Sequence, residues 1–325
     1  VANSWQQTPE GHHIVQMMRD GKPWFVDGEP VMRAEIVDFW SLVFNPSTVH
    51  RLSHVLIGAF IMGAFFIMSI SAWYLLKQKH ERFARHSFRG ALILATIASL
   101  AAAVSGHFQA KNVYETQPAK MAAFEGHYET GPADLSLFGI PNDEARRLDA
   151  NVAIPGGLSF LVREDFDAEV IGLDRFRPEH QPPVAIPFFS YHVMVGFGVL
   201  FVALTLLASF LLWRGKLFQT RWLLWVFVFG VIGPVIANQL GWVAAEVGRQ
   251  PWIVHPAVQR DDAGEPLLDD DGFIRYETYE APMPDGTTRT RIAGLRTNDA
   301  VSRVLTGEVV LGSIVMFGLI YVLLA

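Results

Sequence analysis

Long apolar runs separated by polar stretches dominate the chain. Five runs lie roughly at 51–76 ("RLSHVLIGAFIMGAFFIMSISAWYLL"), 88–106 ("FRGALILATIASLAAAVSG"), 187–213 ("PFFSYHVMVGFGVLFVALTLLASFLLW"), 222–246 ("WLLWVFVFGVIGPVIANQLGWVAAE") and 306–325. A helix needs about 20 mostly apolar residues to cross a bilayer, and a helix buried in a soluble core is usually shorter. The pattern therefore predicts an all-α integral membrane protein with five transmembrane helices.

Basic residues orient these spans. The connection "KQKHERFARHSFR" carries Lys77, Lys79, Arg82, Arg85 and Arg89, and "RGKLFQTR" carries Arg214, Lys216 and Arg221. Short basic connections belong on the cytoplasmic side. The expected divisions are an outside segment 1–50, a transmembrane pair 51–106, an outside loop 107–186, a second pair 187–246, an outside loop 247–305 and a last helix 306–325. The loop 107–186 has an apolar, partly helical start followed by turn residues. In the last outside loop, "GFIRYETY" alternates and Pro-Asp-Gly follows, which predicts a small β-hairpin within 260–292. "DDAGEPLLDDDG" is dense in oxygen ligands but lacks the full calcium-loop pattern, so a solvated acidic loop is expected there.

Composition narrows the chemistry. The 325 residues are 51% apolar and only 18% charged, against about 25% charged in soluble domains. A net charge of −6 argues against a nucleic-acid partner. The absence of cysteine removes disulfides, iron–sulfur clusters, thiolate zinc sites and thiol nucleophiles. No internal repeat, phosphate-binding loop or nucleophile elbow is present. The chain starts at Val1 and stops within the apolar run "GLIYVLLA", so it is expected to be part of a longer membrane protein.

Ionisable groups inside spans are costly and usually functional. Here they gather toward the outside ends. His54 sits about one turn into the first span, His192 and Met194 near the start of the third, and Gln239, Trp242, Glu246 and Arg249 at the end of the fourth. His54 is a candidate haem or metal ligand, or else a histidine bonded to a carbonyl or lipid headgroup. With His50 it forms "HRLSH", which mimics a two-histidine metal spacing, but no third ligand follows in the segment. Met194 is a candidate second axial ligand or a core methionine. His192 is its rival: two residues apart on a helix puts them on roughly opposite faces, so only one can share an iron with His54. Gln239, Trp242, Glu246 and Arg249, spaced by three, four and three, form one stripe. Glu246 must be paired, ligated or protonated at that depth. Either it makes an interfacial ion pair with Arg249 beside an anchoring tryptophan, or it is an iron ligand with Arg249 on a haem propionate. Lys120 and Glu125, in "AKMAAFEGHYE", are five apart and do not share a helical face, so the default there is a solvated loop.

Together, "NPSTVHRLSH", "AKMAAFEGHYET", "LFGIP", "YHVMVGFG" and "GWVAAEVGRQPW" resemble subunit I of the cytochrome bd quinol oxidases, in the same order and over nearly the whole chain. "GWVAAEVGRQPW" and "FEGHYET" with "LFGIP" are the specific motifs; the histidine alone is not. The resemblance implies a nine-helix bundle of which this chain carries the last five helices, Val1 to Trp5 matching the end of the fourth. The helices before it would hold a histidine ligand of a second haem site and proton-delivering glutamates. It implies three haems near the outer face: a low-spin haem b, a high-spin haem b, and haem d or a haem b in its place. His54 and Met194 would be the axial pair of the low-spin haem b. Glu246 would ligate or adjoin the high-spin iron, Trp242 would lie between haems as a catalytic residue with Glu246, and Arg249 would sit near a propionate. His192 stands where the family often has an arginine and would also be a cofactor-binding residue. Lys120 and Glu125 would bind quinol.

The implied activity is oxidation of ubiquinol or menaquinol at the outer face and reduction of O2 to water with protons from inside, giving a proton-motive force without pumping. The setting would be the bacterial cytoplasmic (inner) membrane, with long loops in the periplasm, subunit II and a small single-helix subunit as partners, and this portion inactive alone. The competing readings are a transporter or structural subunit without haem, and a haem b electron carrier that does not react with oxygen. The outer quinol loop is shorter than in some members, and the acidic hairpin segment is longer than the family pattern.

Overall fold

The computed structural model describes residues 2–300 and 305–324. Its helices are α1 (Ala2–Gln7), α2 (Phe39–Val43), α3 (Thr48–Leu76), α4 (Glu81–Thr116), α5 (Pro118–Glu125), α6 (Gly157–Arg163), α7 (Ala185–Trp213), α8 (Arg221–Gly230), α9 (Ile232–Val247) and α10 (Gly307–Leu324). Four helical stretches, built on α3, α4, α7 and the α8–α9 pair, are long and apolar enough to cross a membrane. The fifth expected span is α10, whose 18 residues reach only ~27 Å. Residue 325, the end of that span, lies outside the described residues.

Helix boundaries follow local chemistry. Asp38 caps α2, accepting from the amides of Trp40 at 2.9 Å and Ser41 at 3.2 Å. The 36 residues of α4 extend ~54 Å, well beyond a hydrocarbon core of about 30 Å. The helix therefore carries 107–116, where a loop was expected to begin, out of the membrane. It stops where Pro118 follows Gln117, because the proline disfavours helical geometry in the residue before it. Pro118 then opens α5, and Gly126, in the left-handed region at φ +61°, closes it. The fourth span breaks between α8 and α9 at Val231. Pro234 lacks the N–H that would have bonded to Gly230, so the ladder opens there.

The extramembrane segments form short antiparallel pairs. His12–Gln16 pairs with Met32–Ile36, Leu135–Asn142 with Arg147–Ile154, and Thr278–Pro282 with Thr288–Ile292 across a turn in which Gly286 takes φ +83°. The acidic segment is bound to its neighbours. Arg163 makes two 2.8 Å bonds to Glu265, Arg177 reaches Asp269 at 2.7 Å and Asp271 at 2.9 Å, and Arg289 and Arg291 both reach Glu29.

The apolar core of the bundle lies toward the two basic connections. Phe65, Met68, Phe88, Leu92, Leu217 and Phe227 are essentially inaccessible, and Phe88 meets Phe227 at 5.2 Å between ring centroids. Arg85 and Arg89 lie over the Phe218 ring at 5.1 and 5.6 Å, so both basic connections occupy the same end. The opposite half differs. Along 49–60 of α3, 100–109 of α4, 191–200 of α7 and 235–243 of α9, no residue is fully buried.

Candidate functional site

That half-buried belt contains His54 and Met194. The His54 Nδ1 lies 2.8 Å from Ser105 Oγ on α4. Its Nε2 has no hydrogen-bond partner among the described residues, and Gly106 adds no side chain beside the ring: a Cβ there would lie 3.7 Å from Cε1. Met194 packs its sulfur on α9 at Gly241, where a Cβ would come within 2.7 Å of Sδ. Glycine is required at 241 for that approach. His192 has both ring nitrogens at 2.8 Å from carbonyls, Nδ1 at Phe188 and Nε2 at Ser136, and stacks on Phe188 at 4.0 Å. Neither nitrogen is left for a metal, whereas the Met194 sulfur is uncommitted. The two sequence alternatives on α7 thus differ in what their donor atoms already do.

The stripe on α9 divides. Gln239 and Trp242 are exposed, the tryptophan by 62%. Glu246 is half-buried and Arg249 buried. Arg249 lies past the last helical residue, Val247, so helical periodicity no longer sets its direction. Its Nη2 donates to Glu246 Oε2 at 2.5 Å and its Nη1 to Gln6 Oε1 at 3.3 Å. Asn3 Nδ2 donates to Glu246 Oε1 at 2.7 Å, and Asn3 Oδ1 accepts from Arg51. Both carboxyl oxygens of Glu246 are therefore held by protein donors.

Lys120 joins the same network from α5. It is 2% exposed and donates to Gln7 Oε1. Burial, reinforced by the charges of Arg51 and Arg249 and opposed by Glu246, holds its ammonium well below the usual lysine range. His255, also buried, sets Nδ1 at 2.8 Å from the Pro256 carbonyl. Burial first, then the Lys120 charge, pushes its pKa down to about 3.

Glu125 lies elsewhere on α5. Its carboxyl is buried, and neither oxygen makes a hydrogen bond of normal geometry, although the Ser136 backbone and the Tyr191 hydroxyl face it. Burial raises its pKa to about 8 against those opposing contacts. Phe124 stacks on Tyr191 at 4.9 Å, fastening this end of α5 to α7. The structure thus brings Lys120 to Glu246 and Arg249, and sets Glu125 near Ser136 and Tyr191. All eight residues of α5 are buried, so the solvated loop expected there is instead a closed helix.

Asn3, Gln7, Arg51 and His255 belong to this site and were missed in the sequence. Arg51 carried a signal, since an arginine at the start of a span is costly unless partnered. Asn3 and Gln7 are one helical turn apart, but α1 is too short to read as a face. His255 had none.

The donor set suits haem better than a bare ion. Among the described residues no group of three or more His, Cys, Asp and Glu is placed to hold a metal. A single imidazole and a thioether are axial ligands for an iron already held by a porphyrin. The open belt, the free His54 Nε2 and the glycine seat under Met194 are compatible with such a group.

The fold and site define an α-helical protein with four membrane-crossing stretches and a network of ionisable groups at the end away from its basic connections. The family model for cytochrome bd terminal oxidase subunit I matches residues 1–325. The chain belongs to that family. It is 35% identical over 265 residues to cytochrome bd ubiquinol oxidase subunit 1 of Bacillus subtilis (strain 168), covering 78% of this chain and 53% of the relative. It is 28% identical over 320 residues to cytochrome bd-II ubiquinol oxidase subunit 1 of Escherichia coli (strain K12), covering 78% and 60%. The solved bd oxidase from Geobacillus thermodenitrificans superposes with a TM-score of 0.64 at 31% identity, over 78% of this chain and 55% of that one. The chain spans little more than half the length of these relatives.

Proposed function

We propose that this chain serves in a haem-bearing quinol:oxygen oxidoreductase of a bacterial cytoplasmic membrane, as the subunit I portion that binds quinol and holds haem. The observation that carries the reading is the juxtaposition, at one end of the bundle, of the His54–Met194 belt and the buried network from Lys120 to Glu246. Haem, when bound, supplies the one-electron chemistry that no side chain of this cysteine-free chain provides.

In this reading His54 Nε2 and Met194 Sδ ligate a low-spin haem b. Glu246, with Trp242 and Arg249, borders a high-spin haem b, Arg249 serving a propionate; haem d, or a haem b in its place, completes the oxygen site. His192, whose ring nitrogens face the Phe188 and Ser136 carbonyls, lies near the cofactor in this reading without ligating iron. Quinol docks at Lys120 and Glu125. Lys120 donates to a quinol oxygen, and the Glu125 carboxyl, poised at about 8, exchanges a proton with the hydroxyl near neutral pH. The basic connections favour placing their end in the cytoplasm, so quinol protons leave outside and water formation takes protons from inside, which builds a proton-motive force without pumping. Relatives named as ubiquinol oxidases support a quinol donor. Subunit II and a small single-helix subunit are the partners in this assembly.

A pyridine haemochrome assay and quinol-dependent O2 uptake on the purified intact complex test the reading. Haem and uptake are expected, and His54→Ala and Met194→Ala should each abolish the low-spin haem bands. A complex without haem overturns the function, and unchanged bands in both variants overturn the ligand assignment.

A further inference from the structure

The Lys120 ammonium sits in an environment that does not hold it by charge. It is 2% exposed, and two of the charges acting on it, Arg51 and Arg249, are positive while only Glu246 is negative. Among the described residues Lys120 makes no ion pair. Its hydrogen-bond partner is a neutral amide oxygen, Gln7 Oε1. A buried ammonium without a partner is costly, so this bond has a large share in deciding where the side chain points.

Gln7 is itself immobilised. It is 2% exposed, its Nε2 reaches the Ala245 carbonyl on α9 at 3.5 Å, and its backbone carbonyl accepts from Gln117 Nε2. The bond to Ala245 orients the amide so that oxygen, not nitrogen, faces Lys120. The residues flanking it are tied to the start of α3: Ser4 Oγ donates to Asn45 Oδ1 at 2.9 Å, and Thr8 Oγ1 lies 2.9 Å from both Asn45 Oδ1 and Ser47 Oγ. An ammonium has three donors and Gln7 takes one, which leaves donors for a ligand.

We infer that Gln7 is a positioning residue for quinol binding, a fixed amide that aims the buried Lys120 ammonium at the quinol oxygen. The inference rests on the proposed assignment of Lys120 to quinol. Gln7 touches no substrate in this scheme and acts only through Lys120. Its removal should therefore weaken binding more than turnover.

The test uses the intact membrane complex and ubiquinol-1 as the probe, with KM, kcat and haem spectra measured for Gln7→Met, Gln7→Asn, Gln7→Glu and Lys120→Met. Gln7→Met fills the same space without an acceptor, and Gln7→Asn keeps the amide one methylene short. Both should raise KM about tenfold or more, the range set by a lost hydrogen bond to a charged group. Turnover at saturation and the haem bands should hold. Gln7→Glu, which keeps an acceptor for Lys120 but loses the bond to the Ala245 carbonyl, should raise KM less than Gln7→Met, and Lys120→Met should raise KM at least as much as Gln7→Met. If Lys120→Met raises KM while Gln7→Met and Gln7→Asn do not, the inference falls and the quinol assignment stands. If the Gln7 variants lose haem bands and turnover together and Gln7→Glu rescues nothing, the role is structural and the inference also falls. If Lys120→Met leaves KM unchanged, the quinol assignment fails and the inference fails with it.

Discussion

The two ends of the helix bundle are built on different principles. Toward the basic connections, α3, α4, α7 and α8 close on a dry core in which Phe65, Met68, Phe88, Leu92 and Phe227 are buried to within 1%. Toward the other extramembrane segments the same spans bury no residue fully over ten or so positions each, and their polar groups bond across helices instead, His54 to Ser105 and Glu246 to Asn3. Lipid gives helices no hydrophobic reason to associate, so close packing at one end supplies the cohesion. The other end can then stay open enough to bind a large planar group. Close packing and open, polar helix faces are thereby segregated along the bundle.

Substitutions should therefore read differently at the two ends. The largest effect on stability is expected from Phe227→Ala. This ring touches Phe65 at 6.1 Å and Phe88 at 5.2 Å, and its loss should cost about 3–5 kcal/mol by leaving a cavity. Leu200→Ala, at a side chain 46% exposed in the open half of α7, should lower the melting midpoint far less. Thermal unfolding of the detergent-solubilised complex checks both, and equal losses would erase the contrast between the ends.

Glu125 should show itself through pH. Its carboxyl is held at about 8, above the ordinary carboxyl range, so between those values the folded state keeps a proton that the unfolded chain has released. The resulting contribution to stability is whole below the ordinary range and is lost as pH rises to about 8, after which it changes no further. The melting midpoint of the wild type should fall over that window, and Glu125→Gln should flatten the profile. A wild-type profile that rises across it would contradict the burial of this group.

A smaller effect is expected at the glycine seat of the open end. Gly241→Ala places a Cβ 2.7 Å from Met194 Sδ, so the sulfur must move, at a cost of about 1–3 kcal/mol. Under the proposed ligation the low-spin haem bands of the complex should shift, and an unshifted spectrum would place Met194 away from iron. The least effect should come from the clasp between extramembrane segments. Arg163→Ala removes the bidentate contact to Glu265, a largely exposed pair worth about 1 kcal/mol or less. Limited proteolysis of the acidic segment should quicken while the melting midpoint barely moves.

Much of this was legible along the chain. The four long spans, the shared side of the basic connections and the polar bias toward one end follow from hydropathy and charge, which act position by position. His54 and Met194 stood out along the chain only as candidates, and it was the family resemblance, not their depth, that implied a pairing between them. The network around Glu246 was only half legible. Its partner Arg249 was near in sequence, but Asn3 lies 243 residues away and no local pattern links them. The face of α5 was misread as solvated because its polar residues, Lys120 and Glu125, are buried by segments far off in the chain. The pairings of 12–36 and 135–154 escaped because those strands lack a clean alternation.

The sequence by itself determined that this chain is helical and membrane-crossing, how its basic connections share one side, and which family it belongs to, since each of these rests on local composition or on motifs read in order. Only the tertiary structure decided which donor atoms are free, His54 Nε2 and Met194 Sδ but not those of His192, and that α1 stands between Lys120 and Glu246. Those outcomes depend on which helices approach which, and a one-dimensional pattern carries no record of the distances that set a hydrogen bond.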